Sequence, residues 1–490
     1  MKHRLLAAIL FVLCISGIKA QERLLTLEEA LTIAEERSLD ALNARNVFLS
    51  AYWQYRNYKA ELLPNVVLEG NVPSLNSSLS SYLKENGTYG FVKNNSISED
   101  LTLSLSQNIP FSGGNISVQS ALQRIDQLGG DKTTGYLSVP FSFTLNQPLF
   151  SPKTLKWAMR IEPERYKEAR QQYQVDMESV YMKTINYYFD LLLAQTNLDI
   201  AAINQVNATK LHDIAKGKKG IGLISDNDLL QLELNKINAE TEVISAEQTC
   251  EDKMLTFCNF LRLENNAELT PVVPNGLFKV NITLSQVREL AYKNHPVNHT
   301  ITRRLLETRK LIDEAKANRG FKADLYVSLG YTGSDLTFSD SYRNLQNREI
   351  VSLGIRVPIL DWGKGKGRVK LAESEQEVVK SQVEQTQLNF EQNIILSVSQ
   401  FRDQSRLVAL AQQADSIAGL RYETAFQTFV MGTINVLDIN AAQIERDNAK
   451  RKHINELYLA WLCYYNLRQI TLYDFQQETD IIHPEINAKK

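Results

Sequence analysis

Cysteine is scarce in this chain, four in 490 residues, and Cys14 lies in an N-terminal segment read below as a signal. The other three, Cys250, Cys258 and Cys463, are an odd set in helical sequence. Cys250 and Cys258 stand about 12 Å apart along a helix axis, beyond the reach of a disulfide. No disulfide framework or thiolate metal cluster is encoded. An excess of one charge is also missing: 54 basic against 56 acidic residues give a net charge of -2 and a pI near 6.4. That balance excludes a whole-chain nucleic-acid binder. After Gln21 no stretch approaches the ~18 uninterrupted apolar residues that a membrane-spanning helix requires. The exported chain is therefore either soluble or crosses a membrane as β-strands. Neither a Ser-His-Asp set, nor paired catalytic carboxylates, nor a nucleotide fingerprint rises above background, so neither an enzyme nor a cofactor is expected.

What is present begins with a secretory signal. Lys2 and Arg4 precede the apolar run Leu5–Ile15 and a small-residue end at Ala20, the expected cleavage point. Leu13 stands before Cys14 where a lipobox needs a small residue, which argues against lipidation. Beyond the signal the chain is written twice. Leu25-Thr26-Leu27 returns as Ile282-Thr283-Leu284, Ala34 as Ala291, Lys59-Ala60 as Lys316-Ala317 and Leu68 as Leu325, at one fixed offset. Pro148, Gly222, Ile224 and Asp228 return as Pro358, Gly432, Ile434 and Asp438 at a second, shorter offset. Such self-similarity signals two copies of one structural unit.

Each copy joins strands to very long helices. Asn65–Val72, Leu101–Ile109, Ile116–Leu122, Leu137–Gln147, Leu325–Tyr331 and Val351–Val357 read as strands. In Leu137–Leu145 the odd positions are greasy and the even ones small and polar, which predicts one apolar and one polar face. A sandwich would alternate too, but strands of roughly 8 to 11 residues with a Ser, Thr, Asn and Gly face suit a water-filled barrel in lipid. The Ser- and Asn-rich stretches Pro73–Ser98 and Thr332–Arg348 are expected as extracellular loops. Each strand region ends in a similar phrase, Gln147-Pro148-Leu149-Phe150 and Val357-Pro358-Ile359-Leu360, followed by Trp157 and Trp362. The prolines stop the ladder, and the aromatics fit an interfacial belt or, alternatively, a plain buried helix start.

Lys153–Lys216 and Arg368–Met431 read as unbroken helices of ~95 Å apart from Pro163 near the start of the first. Tyr173, Met177, Val180, Thr184, Tyr188 and Leu191 form a narrow apolar stripe, and Val383, Phe390, Ile394, Val398 and Phe401 repeat it. Shorter helices are expected over Leu27–Glu61, Asp228–Leu263, Leu284–Arg319 and Ile434–Leu472, two end to end matching one long helix. Such narrow stripes need neighbours from within the chain and from other copies. Gly363-Lys364-Gly365-Lys366-Gly367 resembles a phosphate loop but lacks the Walker spacing, and reads as a flexible strand-to-helix junction. His295 and His299 have metal-ligand spacing, but Pro296 intervenes and no carboxylate partner is evident.

In the order helix, strands, long helix, glycine turn and helix, twice over from Leu25 to about Phe475, the chain resembles a TolC-type outer-membrane efflux protein. That resemblance implies an α+β membrane protein: a trimeric outer-membrane β-barrel continuous with a long periplasmic α-helical barrel of coiled coils, with two structural repeats per chain. The implied map is a signal peptide at 1–20 and a first repeat at 21–263, with strands about 65–148, a long helix about 153–216, a tip turn at 217–228 and a helix at 228–263. An equatorial connection follows at 264–282, then a second repeat at 283–472, with strands about 325–358, a long helix about 368–431, a tip turn at 431–438 and a closing helix. The tail is 473–490.

The implied function is the passive exit duct of a tripartite efflux or type I secretion system. Its partners would be two further copies, a periplasmic adaptor, an inner-membrane transporter of the RND or ABC type and outer-membrane lipid, with no nucleic acid. An autonomous porin and a periplasmic scaffold without a pore are the alternatives. Family members ring the periplasmic constriction with acidic residues. Here Asp438 holds the later position, Asn435 occupies the earlier one, and Asp226 and Asp228 lie in the first turn with Gly222, Gly432 marking the second. Threefold convergence of carboxylates would favour cations. Equally, Asp228 and Asp438 could simply stabilise the helices that follow. Lys216, Lys218 and Lys219 beside the tip are either adaptor-docking groups or compensation for the helix dipole.

The first copy departs from the family pattern. Between Lys59 and Pro148 it is about 47 residues longer than the second copy between Lys316 and Pro358, and the surplus holds two of the expected strands. Both ends of the strand region must return to periplasmic helices, so extra strands come in pairs. Six strands per subunit, against the usual four, are expected, with an insertion folded outside the membrane as the rival.

Overall fold

The computed structural model describes residues 23–129, 132–220, 224–263, 269–274, 280–431 and 433–483. The expected signal peptide lies outside them. In chain order the elements are β1 (Arg23–Leu25), α1 (Leu27–Arg37), α2 (Leu39–Glu61), β2 (Asn65–Leu83), β3 (Tyr89–Ile109), β4 (Gly114–Gln127), β5 (Thr134–Leu149), α3 (Thr154–Gly220), α4 (Asp226–Leu261) and β6 (Leu269–Pro271). The second copy follows with α5 (Leu284–Asn294), α6 (Val297–Arg319), β7 (Lys322–Asp335), β8 (Gln346–Arg356), α7 (Lys364–Met431), α8 (Val436–Thr471) and the short pair β9 (Tyr473–Asp474) and β10 (Thr479–Asp480). Two compact units result. One holds the chain up to Leu49, Ala169–Pro296 and Gln387 onward; the other holds Ser50–Glu168 and Val297–Thr386.

Helix limits follow local chemistry. Thr26 opens α1 with a reciprocal cap: its hydroxyl accepts from the Glu29 N–H at 3.3 Å, and the Glu29 carboxylate accepts from the Thr26 N–H at 3.2 Å. The helices expected as single pieces over Leu27–Glu61 and Leu284–Arg319 are each broken in two. At the first break Ser38 is extended (φ -63°, ψ 147°), and its hydroxyl accepts from the Ala41 N–H at 3.2 Å to start α2. At the second, His295 is extended (φ -74°, ψ 142°) because it precedes Pro296, which disfavours the helical region for the residue before it. By contrast Pro163, near the start of the 67-residue α3, does not end it.

In the first unit the stripe Tyr173, Met177, Val180, Thr184, Tyr188 and Leu191 of α3 is buried. It meets the parallel pair β1–β6, where the Tyr188 hydroxyl is 2.9 Å from the Leu25 carbonyl and 2.7 Å from that of Val272. Gln195 donates to the Leu269 carbonyl at 2.9 Å. Two side chains of one helix thereby satisfy backbone groups that a lone pair of three-residue strands leaves open.

The second unit is built on one six-stranded antiparallel sheet in the order β2-β3-β4-β5-β7-β8. Residues registered side by side share a face, and the registers assemble two unlike faces. On one lie Val66 beside Leu105, Leu105 beside Val118, Val118 beside Phe143, and Phe143 beside Leu329. The rows above and below add Leu68 with Leu103, Phe141 with Tyr331, Leu145 with Val327, Val327 with Val351, and Leu325 with Leu353. On the other face Ser104 stands beside Gln119, Gln119 beside Ser142, Thr144 beside Ser328 and Asp324 beside Gly354. The sheet is thus apolar on one side, apart from Glu349 of β8 beside Leu329, and chiefly small and polar on the other.

Two prolines correct the sequence reading. In β5 the register slips between Ser138 and Phe141, around Pro140, which has no N–H to give to the ladder. The slip turns the strand over, so Leu137 and Val139 fall on the polar face, opposite Gln123 and Ala121, while Phe141, Phe143 and Leu145 keep the apolar one. Pro73 sits at the matching slip in β2, between Asn71 and Ser74. Beyond it the expected loop Pro73–Ser98 is instead mostly a hairpin, registered from Ser74↔Ser98 to Leu83↔Tyr89 and turned at Gly87 (φ 77°). The expected loop Thr332–Arg348 likewise contains the end of β7, a short 3-10 turn at Asp340–Tyr342 and the start of β8. That turn lies against Gly333, where a Cβ would collide with the Ser341 carbonyl, and Ser138 donates to the same carbonyl at 2.5 Å.

Candidate functional site

The two turns that join α3 to α4 and α7 to α8 are built alike. Ser225 caps α4, its hydroxyl accepting from the Asp228 N–H at 3.1 Å and donating to the Asp228 carboxylate at 2.7 Å. Asn435 caps α8, accepting from the Asp438 N–H at 2.9 Å. The caps are therefore Ser225 and Asn435, and Asp228 and Asp438 sit three residues inside, in the first turn, where a carboxylate meets the positive end of the helix dipole. Gly222 and Gly432 lie outside the described residues. Asp226 pairs with Lys219 across the first turn. Lys218 donates to the Phe429 carbonyl at 2.8 Å with its ammonium 5.0 Å from the Phe429 ring centre, tying the end of α3 to the end of α7. Lys216 is exposed. Beneath these groups an apolar knot of Leu211, Ala215, Leu232, Tyr422, Phe429, Val436, Ile439 and Ala442 holds the four helix ends together.

Next to that knot lies a polar layer that the sequence did not reveal. Arg446 of α8 stacks 4.1 Å from the centre of the Tyr422 ring on α7 and donates to Asn204 of α3 at 2.6 Å and to Asp447 at 2.7 Å. Asn204 donates in turn to buried Asp447 at 2.7 Å. Burial pushes the Tyr422 hydroxyl up, and Arg446 only partly offsets it. Farther along, Arg421 of α7 pairs with Glu445 of α8, and Arg451 donates to Asn197 of α3 at 2.8 Å. Three helices are thus linked by charge-assisted bonds that can be broken and remade, unlike the apolar knot. The bonds to Asn204 and Asn197 of α3 join residues more than two hundred positions apart in sequence, and no local spacing signals them.

A second buried cluster fixes the segment that leads up to His483. Glu178 of α3, fully buried, receives Arg468 of α8 through two bonds at 3.1 and 3.0 Å, and Arg468 also reaches Asp474 at 2.8 Å. His483 stands 3.3 Å from Glu178 and 3.4 Å from Glu35, whose other oxygen accepts from the Tyr181 hydroxyl at 2.5 Å. Burial pulls the His483 pKa down, but its bonds to Glu178 and Glu35 outweigh that and hold it above the ordinary value. The bond from His483 in turn holds Glu35 below the usual carboxylate range.

The other sequence candidates resolve as follows. Trp157 lies in the first turn of α3 with Arg160 5.6 Å from its ring centre. Trp362, 89% exposed, has a left-handed backbone (φ 53°) at the turn into α7. The glycine-lysine run is no phosphate loop: Asp361 accepts from the Gly365 and Gly363 N–H groups at 2.8 and 3.0 Å and so starts α7. His299 does have a carboxylate partner, Glu164 at 2.6 Å. His295 lies in the break before α6, 4.7 Å from the Phe390 ring, where burial lowers its pKa to about 4. No group of side chains that could hold a metal ion is found among the described residues.

Comparison with known proteins adds the decisive observation. Residues 302–471 match the family model described as "Outer membrane efflux protein". That stretch is an outer membrane efflux protein domain. The fold of the whole chain agrees with it. The VceC outer membrane protein of Vibrio cholerae superposes with a TM-score of 0.65 at 14% identity, over 91% of this chain and 95% of that one. The CmeC outer membrane channel of Campylobacter jejuni gives 0.65 at 16% identity, over 94% and 87%. The outer-membrane channel OprN gives 0.66 at 14% identity, over 92% and 90%. No curated protein sequence matches the chain. The fold read from the double helix-strand-helix pattern is therefore the observed one, and of these structures CmeC and OprN are described as outer-membrane channels.

Proposed function

We propose that the chain is the outer-membrane exit duct of a tripartite efflux or type I secretion system: a passive channel, trimeric, with a periplasmic helical extension closed at its far turns. The observation that carries the reading is the six-stranded sheet, apolar on one face and polar on the other, in a chain whose long helices end in matched acidic turns. Lipid takes the apolar face and water the polar one. Trp157 and Trp362 mark the periplasmic edge of the membrane. The duct does no chemistry, holds no cofactor and takes its energy from an inner-membrane transporter through a periplasmic adaptor. Lys216, exposed beside the tip, is the first candidate for adaptor contact, since Lys218 and Lys219 are engaged within the chain.

Three copies would bring Asp226, Asp228 and Asp438 towards one axis, where the carboxylates select cations and the two caps hold the helix starts that present them. Opening requires the helix ends to part, which the Arg446-Asn204-Asp447 layer resists. Two cell-level measurements test the reading. Removal of the chain from its host should increase retention of an amphiphilic fluorescent dye. Restoring it as the Arg446→Ala variant should sensitise cells to bulky antibiotics that the outer membrane normally excludes. Normal dye retention together with an unaltered barrier would defeat the proposal.

A further inference from the structure

We infer that the free edges of the sheet, β2 and β8, pair with β8 and β2 of neighbouring copies to close an eighteen-stranded barrel. This inference rests on the threefold duct proposed above and extends it to the width of the outer-membrane pore. The additional strands of the first copy, β3 and β4, are not an appendage. Each is hydrogen-bonded on both sides, β3 to β2 and β4, and β4 to β3 and β5. Their outward residues Leu105 and Val118 continue the apolar face at the level set by Phe143 and Leu329, and Leu103 lies one row away beside Leu68. Lifting them out of the wall would require two ladders to break.

The edges are suited to each other. With six strands alternating in direction, β8 of one copy runs antiparallel to β2 of the next. Both edges carry the apolar face, with Leu68 66% and Val351 71% exposed in the single chain. In lipid an unpaired edge is untenable, because each unsatisfied backbone group is costly there. The slip at Pro73 divides β2 into Asn65–Asn71 and a second registered stretch, Ser74–Leu83, and the first of these has a length that the 11-residue β8 can cover. The exposed edges therefore call for a second copy of this chain.

For strands spaced about 4.8 Å apart and tilted about 40°, a wall of eighteen has a backbone diameter of roughly 36 Å, against roughly 24 Å for twelve. The membrane pore would be about one and a half times as wide as a twelve-stranded wall allows, in the range where barrels hold an open aqueous channel. The barrel is then not the size filter; the periplasmic turns are, and the pore accepts bulky cargo. The test is cryo-electron microscopy of the mature protein in lipid nanodiscs, with the number of copies measured independently by light scattering. Three copies and eighteen strands are expected. Three copies with a twelve-stranded wall, β3 and β4 lying outside it, would overturn the inference and leave the duct intact. Any other number of copies would overturn the threefold duct, and the eighteen-stranded count with it.

Discussion

Adjacent positions of β8 offer a direct trial of which face of the sheet meets lipid. Val351 belongs to the apolar face and Ser352 to the polar one, and both are exposed in the single chain, Val351 at 71%. In water neither Val351→Arg nor Ser352→Arg would disturb any packing, so both should be tolerated within about 0.5 kcal/mol. In a membrane barrel Val351→Arg places a charge in hydrocarbon at a cost of about 2–4 kcal/mol near the midplane, while Ser352→Arg points into the lumen. At 1.4 kcal/mol per factor of ten, the folded-to-unfolded ratio should fall roughly 30- to 700-fold for the first and little for the second. Urea titration of each variant folded into lipid vesicles, read by heat-modifiable gel mobility, measures the difference. Equal midpoints for the two variants would refute the assignment of faces.

Three further outcomes follow from the turns and the buried clusters. Asn435→Ala removes the cap of α8 and should cost about 1 kcal/mol, read as increased hydrogen exchange confined to the first turns of that helix. Arg446→Ala leaves Asp447 buried with only Asn204, a loss of about 3–5 kcal/mol by the usual cost of breaking a buried pair, and should raise channel conductance rather than abolish assembly. His483 has a raised pKa in the folded chain, so its contribution is complete below pH ~6.5 and fades as pH rises through the raised value. Protease cleavage of the β9–β10 segment should accelerate as pH rises through that value, and His483→Ala should remove the pH dependence.

Much of this was legible because periodicity and repetition are local signals. The offset between Leu25-Thr26-Leu27 and Ile282-Thr283-Leu284 matches two equivalent capped helices, and the stripe from Tyr173 to Leu191 is buried along its length. Misreadings arose where one residue redirects many. Pro140 turned Leu137 and Val139 to the other face, and a Ser- and Asn-rich composition concealed the hairpin that Leu75, Leu79 and Leu83 of β2 form with Ile97, Lys93 and Tyr89 of β3. Ser38 and Pro296 divided helices whose apolar pattern runs on through the break. The clusters around Arg446 and Arg468 were invisible because their partners, Asn204 and Glu178, are brought near only by folding.

The most direct test of a duct closed at its acidic turns is single-channel conductance of the mature protein in a planar bilayer, beside a variant with Asp226, Asp228 and Asp438 changed to Ala. Low, cation-preferring conductance that rises or loses its preference in the variant is the predicted result. High conductance in both would contradict closure at the turns, and no conductance in either would contradict the duct itself.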